Sequence, residues 1–172
     1  MSEPARRRRV APSASDEVRA RRAGRRLALA ALFEAEFGQR TPAGVLERQL
    51  AETESDPTAA ALAREIVEAV VAQRDRIDAT IERVAPQYPV VQLARMDRAI
   101  LRGAIGEVLH SATPTRVAIA EWVELARIYS GDPMRRLVNG VLGRIAAEAG
   151  GASRPGGARD GVTDTPDHPG AA

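Results

Sequence analysis

Apolar residues recur along the chain at steps of three and four, the spacing of amphipathic helices, and five short stretches rich in glycine, serine and proline interrupt the pattern. These breaks lie at residues 38–42, 55–57, 86–89, 111–114 and 130–133. They separate at least six helical segments. The segment after Pro57 is long for one globular helix, and the polar run at residues 73–76 divides it in two. The pattern therefore predicts about seven helices.

Several helix starts are marked by their own residues. At four of the breaks a residue with a capping side chain stands directly before a proline, namely at Thr41, Asp56, Thr113 and Asp132. Such a side chain accepts a hydrogen bond from a free N–H of the first turn, and proline suits the first helical position. These four positions are predicted to be N-caps.

The segment from residue 90 to residue 109 carries the most regular apolar stripe. Its members are Leu93, Met96, Ile100, Leu101, Ala104, Ile105 and Val108. Gly103 and Gly106 interrupt this helix, at a cost of about 1 kcal/mol each relative to alanine. Close approach of another helix is the simplest reason for them, so this helix is predicted to lie at the centre of the core.

Composition agrees with an all-α fold and sets the domain limits. The chain is 44% hydrophobic but only 3% aromatic, which suits close helix packing better than sheet packing. Residues 1–17 hold a run of four arginines and few apolar residues, and residues 150–172 are rich in glycine, proline and aspartate. We therefore expect a disordered basic arm at 1–17, one helical domain at 18–149 and a disordered tail at 150–172.

Most catalytic and metal chemistry is excluded by the residues themselves. The chain has no cysteine, no lysine for a phosphate-binding loop, no GxGxxG or GxSxG string, and only two histidines, His110 and His168. His110 is expected to close a helix C-terminus. We expect no enzyme activity, no cofactor and no metal. No apolar run of about 18 residues occurs either, so no membrane association and a cytoplasmic location are expected.

Charge is distributed unevenly. Residues 1–33 contain nine arginines against Glu3, Asp16 and Glu17, a net charge of +6 that leaves −4 for the rest of the chain. Two turns of the first helix hold five of these arginines, where like charges repel. A polyanion would offset this repulsion, so RNA-binding residues are predicted at Arg19, Arg21, Arg22, Arg25 and Arg26.

An aromatic residue shares one face of this helix. At 100° per residue, Phe33 lies about 20° from Arg22 on one side and about 20° from Arg26 on the other. A ring beside guanidinium groups suits single-stranded RNA, whose bases can stack on it. The alternative is that Phe33 fills the core and the arginines form a solvated face.

Four blocks of the sequence, RRAGRRLALAALFEAEF, MDRAILRGAIGEVL, TRVAIAEWVELARIYS and RRLVNGVLGRIA, resemble the NusB family of bacterial transcription antitermination proteins, in the family's order. The resemblance spans roughly residues 19–147. It implies an all-α fold of two small helical bundles that binds boxA-like single-stranded RNA. It also implies a partner, the small-subunit ribosomal protein NusE, and action on the RNA polymerase elongation complex to promote readthrough, with ribosomal RNA operons as the expected setting.

The resemblance also implies roles for particular residues. The arginines at 21, 22, 25 and 26 match the family's N-terminal arginine motif, Phe33 matches an aromatic RNA contact, and Asp97 matches an acidic position that faces NusE. The alternative for Asp97 is a surface charge paired with a neighbouring arginine.

Some positions depart from the family. Leu137 stands where some members have an RNA-contacting phenylalanine, and no aromatic is found near Val84, where some use tyrosine. Ala120 and Trp122 replace a common asparagine and a common smaller residue. RNA preference is therefore expected to differ. Asn139 and Gly140 are interpreted as structural, a buried amide and a packing glycine.

Two other functions stay open. A helical protein-interaction module could use its arginines to bind acidic surfaces. A stand-alone relative of the RNA-binding domain of ribosomal RNA cytosine methyltransferases is the other alternative, although this chain has no cysteine and no methyl-donor domain. Both a monomer and a homodimer that hides the arginines are compatible with the sequence.

Overall fold

The computed structural model describes residues 13–152, with side chains described to residue 150. Nearly all of this range is helical, and a single 3-10 turn covers Val90–Gln92. The α-helices are α1 (Ala14–Ala35), α2 (Pro42–Glu52), α3 (Pro57–Val84), α4 (Arg95–His110), α5 (Thr115–Ser130) and α6 (Asp132–Ala152). None of these helices is long and apolar enough to cross a membrane. Residues 1–12 of the expected arm and 153–172 of the expected tail lie outside the described residues, whereas residues 150–152, expected to begin the tail, belong to α6.

The helix count differs from the expectation by one, and the difference lies in α3. This helix is kinked at Gln73, whose φ of −117° and ψ of 16° are not helical. The polar run that predicts a break thus coincides with the kink. Six α-helices cover the described range when α3 is counted as one, and its two parts on either side of Gln73 correspond to the two helices that the sequence predicts.

The helix starts confirm two predicted caps and correct the others. The Thr41 side chain accepts from the N–H of Gly44, and the Asp56 side chain accepts from the N–H groups of Thr58 and Ala59. Thr113 is wrong as a cap, because α5 starts one residue later and Pro114 holds the capping position without a side-chain hydrogen bond. Asp132 is the first residue of α6 and not its cap.

The helices form the two small bundles that the resemblance implies. One consists of α1, α2 and the first part of α3, and the other consists of α4, α5 and α6 with the second part of α3. Because α3 contributes to both and α4 packs on both α1 and α5, the bundles share one hydrophobic core. Helices α1 and α5, which carry the arginines and glutamates described below, therefore belong to different bundles.

Helix α4 is the centre of this core, as predicted. Seven consecutive residues, 101–107, are buried. A Cβ at Gly103 would lie 2.5 Å from the Trp122 ring, and a Cβ at Gly106 would lie 2.9 Å from the Val70 side chain. Both glycines therefore permit close approach of a neighbouring helix, which confirms the interpretation from the sequence.

Candidate nucleic-acid interface

Helix α1 begins earlier than the sequence analysis expects, inside the segment 1–17. Ser13 and Asp16 form a capping box in which the Ser13 side chain accepts from the Asp16 N–H and the Asp16 carboxylate accepts from the Ser13 N–H. The Ser13 hydroxyl also donates to the Asp16 carboxylate, and this bond, together with the one from the Ser13 N–H, holds the pKa of Asp16 below its usual value. The cap satisfies free N–H groups of the first turn, so the helix starts at Ala14.

The first two arginines are paired within the helix. Arg19 Nη2 lies 2.7 Å from Asp16 Oδ1, and Arg21 Nη2 lies 3.1 Å from Glu17 Oε1. These spacings of three and four residues offset part of the repulsion among the arginines. Arg19 remains the most exposed of the pair members, whereas Arg21 turns toward α3 and lines a shallow surface beside Thr58.

Arg25 is the main correction to the predicted RNA-binding set. Its side chain is only 2% exposed. Nε donates to Glu107 Oε2 at 2.9 Å and Nη2 donates to Oε1 at 2.7 Å, while Trp122 Nε1 donates to Oε2 at 2.7 Å. A guanidinium enclosed in this way by α4 and α5 cannot reach a phosphate. Arg25 instead joins α1 to the two helices that cross it.

Arg22 lies three residues before Arg25 and faces solvent, 55% exposed. It spans to α5, where Nε lies 3.1 Å from Glu121 Oε1 and 3.0 Å from Oε2, and Nη2 lies 3.0 Å from Oε1. The Glu121 hydrogen bonds, with the nearby charges of Glu121 and Glu124, raise the pKa of Arg22. Arg22 is therefore accessible but already bound to a carboxylate.

Arg26 is exposed and forms no ion pair or hydrogen bond with any residue of the described range. With Arg22 it lines a cleft of about 300 Å³ between α1 and α5, where Glu121, Glu124 and Ile128 form the opposite wall. By helical geometry Arg19, Arg22 and Arg26 point to one side of α1. We call these three residues the arginine face.

Phe33 lies at the other end of α1, about 16 Å from Arg22 along the axis by the helical rise. It is half-buried and packs against the core, and its ring meets the Phe37 ring edge-on with centroids 5.4 Å apart. Phe37 is 53% exposed, and the Arg95 guanidinium lies 4.8 Å above it. The ring that projects into solvent here is thus Phe37, one residue beyond the helix cap, which the sequence analysis did not select.

Asp97 lies in the first turn of α4, where a carboxylate is favoured by the helix dipole. It is half-buried and has no hydrogen bond or ion pair with another described residue. Its arginine neighbours are engaged elsewhere, since Arg98 pairs with Glu36 and Arg95 stacks on Phe37. The structure therefore leaves this carboxylate available to a partner.

A second cleft, of about 410 Å³, lies between the end of α3 and α6, and we call it the α6 groove. It brings Tyr88, four residues after Val84, beside Leu137 and Gly140. The Tyr88 side chain is 42% exposed. Arg136 also lines the groove and is free of ion pairs and hydrogen bonds to the described residues. An aromatic ring does stand near Val84, contrary to the expectation from the sequence.

The interpretation of Asn139 and Gly140 as buried packing residues is wrong. Both are exposed on α6, and a Cβ at Gly140 would meet nothing within 4 Å. The valines that flank them, Val138 and Val141, are the buried members of this turn. Neither residue serves the core, so both are accessible beside the α6 groove.

Metal chemistry has no obvious place in this arrangement. Within residues 13–152 no group of three or more histidine, aspartate or glutamate side chains could hold a metal ion. The carboxylates near the arginine face are engaged by arginines: Glu121 by Arg22, and Glu124 by Arg127 at 2.6 Å. The geometry of the arginine face supports binding of an anion.

Comparisons with known proteins agree with the resemblance. A model of the NusB family matches residues 22–147. The transcription antitermination protein NusB of Heliobacterium modesticaldum is 42% identical over 129 residues, which cover 74% of this chain and 63% of that protein. This chain thus spans less than two thirds of that relative's length.

Solved structures share the fold. A crystal form of T. maritima NusB is similar with a TM-score of 0.68 and 33% identity, covering 74% of this chain and 91% of the other. A structure of the antitermination factors NusB and NusE in complex with double-stranded RNA reaches a TM-score of 0.66 at 24% identity, covering 76% of this chain and 98% of the matched chain.

Proposed function

Because the chain belongs to the NusB family, we propose that it is a transcription antitermination factor that binds boxA-like single-stranded RNA together with NusE. In this proposal the complex acts on the RNA polymerase elongation complex and promotes readthrough, with ribosomal RNA operons as the setting. The observation that carries the proposal is the arginine face, and above all Arg26, a solvent-exposed guanidinium without a protein partner in the described range.

The arginine face has the chemistry that a phosphate backbone requires. A guanidinium offers a planar fork of donors that matches phosphate oxygens, and each phosphate contact releases condensed counterions. Arg26 needs no rearrangement to make such a contact, and Arg19 gives up only an exposed pair within its own helix. These residues would supply affinity without sequence preference.

The α6 groove offers what the arginine face lacks, an accessible aromatic ring. A base can stack on the exposed Tyr88 side chain while Arg136 binds the adjacent phosphate. Gly140 leaves the wall open, so the backbone of an RNA strand can approach closely. We propose that Tyr88 supplies here the stacking that Leu137 cannot.

NusE is proposed to dock on the side of α4 that carries Asp97. A half-buried carboxylate without an intramolecular partner can accept a hydrogen bond from a cationic side chain of another protein. The neighbouring Phe37 ring with Arg95 above it adds an exposed aromatic contact. Aromatic and arginine side chains are the residues that most often carry binding energy at interfaces.

The test is a binding titration of the chain, alone and with NusE, against boxA RNA, a scrambled single strand and an RNA duplex. Measured at two salt concentrations, boxA RNA should bind more tightly than the scrambled strand, and NusE should widen the difference. A duplex bound as tightly as boxA RNA would contradict single-strand recognition. Equal affinity for boxA and scrambled RNA would leave a non-specific polyanion binder, and the antitermination proposal would fall.

Two variants, Arg26→Gln and Arg64→Gln, test whether RNA contacts the arginine face. Arg26→Gln should weaken binding of both single strands and flatten the logarithmic salt dependence by about 0.7. Arg64→Gln removes an exposed arginine from α3 that pairs with Glu47 on α2, away from the arginine face. It should leave affinity and salt dependence almost unchanged. Equal losses in the two variants would show that only overall charge matters.

A further inference from the structure

An acidic residue of α5 lies against the arginine face. Glu121 on α5 binds Arg22 on α1 through three donor–acceptor distances of 3.0 to 3.1 Å, the planar two-oxygen arrangement that arginine also forms with phosphate. Glu121 is the less exposed partner, 19% against 55% for Arg22. The carboxylate therefore occupies the donors of Arg22 that an RNA phosphate would use.

We infer that Glu121 is an internal competitor of RNA, a residue that sets the affinity of the arginine face by occupying Arg22 in the unbound protein. This inference rests on the proposed function for its biological ligand, although the competition itself holds for any polyanion. When a phosphate takes Arg22, the Glu121 carboxylate loses its partner and faces a second negative group. Part of the binding free energy is spent on this exchange.

The surroundings of the pair determine how much of this cost remains. Glu124, one turn along α5, does not lower this cost. Arg127 holds the Glu124 carboxylate at 2.6 Å, and the negative charge of Glu124 adds to the negative potential around Glu121. Arg26 lies in the same cleft, has no partner among the described residues, and is an alternative cation for a released Glu121. A phosphate that binds Arg22 and Arg26 together denies it this alternative.

The position of Glu121 predicts an effect on the affinity for every RNA and not on sequence preference. Glu121 lies beside the phosphate-binding residues of α1 and does not line the α6 groove, where we propose that bases stack. Removing its charge should therefore tighten boxA and scrambled RNA by the same factor. The ratio between the two RNAs should stay constant.

The experiment measures RNA affinity of the full chain and of Glu121→Gln by fluorescence anisotropy between about 50 and about 200 mM salt. The substitution keeps the size of the side chain and removes the charge. We expect binding about two- to fivefold tighter for both single strands, the range given by an exposed ion pair. The logarithmic salt dependence should steepen by up to about 0.7, because Arg22 no longer exchanges one anion for another.

Glu47→Gln is the matched control. Glu47 forms the corresponding two-oxygen pair with Arg64 between α2 and α3, at 2.7 and 2.9 Å, and both partners are about half exposed. The variant loses the same charge from the same kind of bridge at another place. It should change RNA affinity far less than Glu121→Gln does, and thermal melting of both variants establishes that the folded protein is compared.

A double-mutant cycle with Arg22→Gln tests whether Glu121 affects RNA binding through Arg22. In that background Glu121→Gln should have little remaining effect. A full effect without Arg22 would show that Glu121 acts through the general field and would overturn the inference. Weaker RNA binding by Glu121→Gln would overturn it as well, since Glu121 would then be holding Arg22 in position for phosphate.

The failure of this inference can be told apart from failure of the proposed function. If the natural chain does not prefer boxA RNA over the scrambled strand, the antitermination proposal fails, but the scrambled strand still reports the competition at Arg22. If boxA RNA is preferred and Glu121→Gln leaves affinity and salt dependence unchanged, the proposed function stands and the internal competitor does not.

Discussion

Arg22 and Arg25 lie less than one turn apart on α1, each binds a glutamate through two oxygens, and yet they differ in almost every physical respect. Arg25 is enclosed with Glu107 and Trp122, and it joins helices of both bundles. Arg22 and Glu121 lie at the surface, where water and ions compete for both partners. A buried pair is a fixed part of the fold, whereas an exposed pair can be exchanged for another ligand. Burial, and not residue type or spacing, separates the two roles.

The largest expected effect is that of Arg25→Gln. Removing the guanidinium leaves Glu107 as an uncompensated buried charge, so the free energy of unfolding should fall by about 3 to 5 kcal/mol. Chemical denaturation measures this loss in the free energy of unfolding. Adding Glu107→Gln should restore much of the loss, because the amide oxygen can still accept from Trp122 without a charge. A loss below about 1 kcal/mol would mean that the two arginines do not differ as the structure indicates.

Next in size is Gly103→Ala, which tests the packing beside the buried pair. The added Cβ would lie 2.5 Å from the ring of Trp122, which is fully buried and cannot turn aside without giving up its bond to Glu107. We expect a loss of about 1 to 3 kcal/mol in the free energy of unfolding. Gly140→Ala is the control: it meets open space and should be stabilising or neutral.

Phe33 in α1 and Phe37 just beyond its C-cap extend the same contrast to aromatic residues. Phe33→Ala should cost about 1 to 2 kcal/mol of stability, since the ring is half-buried against the core. Phe37→Ala should cost well under 1 kcal/mol, because that ring is half-exposed. If NusE docks beside Asp97, its affinity should fall in Phe37→Ala. Wild-type stability in Phe33→Ala would instead favour Phe33 as an RNA contact alone.

A small effect on stability is also expected for Arg22→Gln. Loss of an exposed pair should change the free energy of unfolding by less than about 1 kcal/mol. RNA binding should nevertheless weaken several-fold, with a flatter salt dependence. Denaturation and RNA titration of one preparation give both quantities. A loss of stability in Arg22→Gln as large as that in Arg25→Gln would contradict the proposed difference between the two arginines.

The parts of the fold that depend on neighbours in the chain could be predicted from the sequence. The caps at Thr41 and Asp56, the kink at Gln73 and the packing role of Gly103 all follow from local rules about proline, polar runs and glycine. The start of α1 was local as well, since Ser13 followed by Asp16 is a capping-box pattern. The run of arginines before this pattern predicts a disordered arm, and that prediction outweighs the cap.

The parts that depend on distant residues could not be predicted. The partner that makes burial of Arg25 possible is Glu107, 82 positions later, and the sequence of α1 alone does not identify it. Exposure of Asn139 follows from the rotation of α6, which buries Val138 and Val141 instead. Tyr88 joins the α6 groove because a turn and a 3-10 segment fold it back beside Leu137.

The contact between Gly103 and Trp122 also couples the substitutions that the two positions tolerate. A methyl group at 103 would overlap the indole ring, so alanine at 103 should fit better beside a smaller side chain at 122. A smaller side chain at 122 would in turn leave Glu107 without the hydrogen bond that Trp122 donates. The two positions, 19 residues apart in the sequence, should therefore behave as a non-additive pair in a double-mutant cycle.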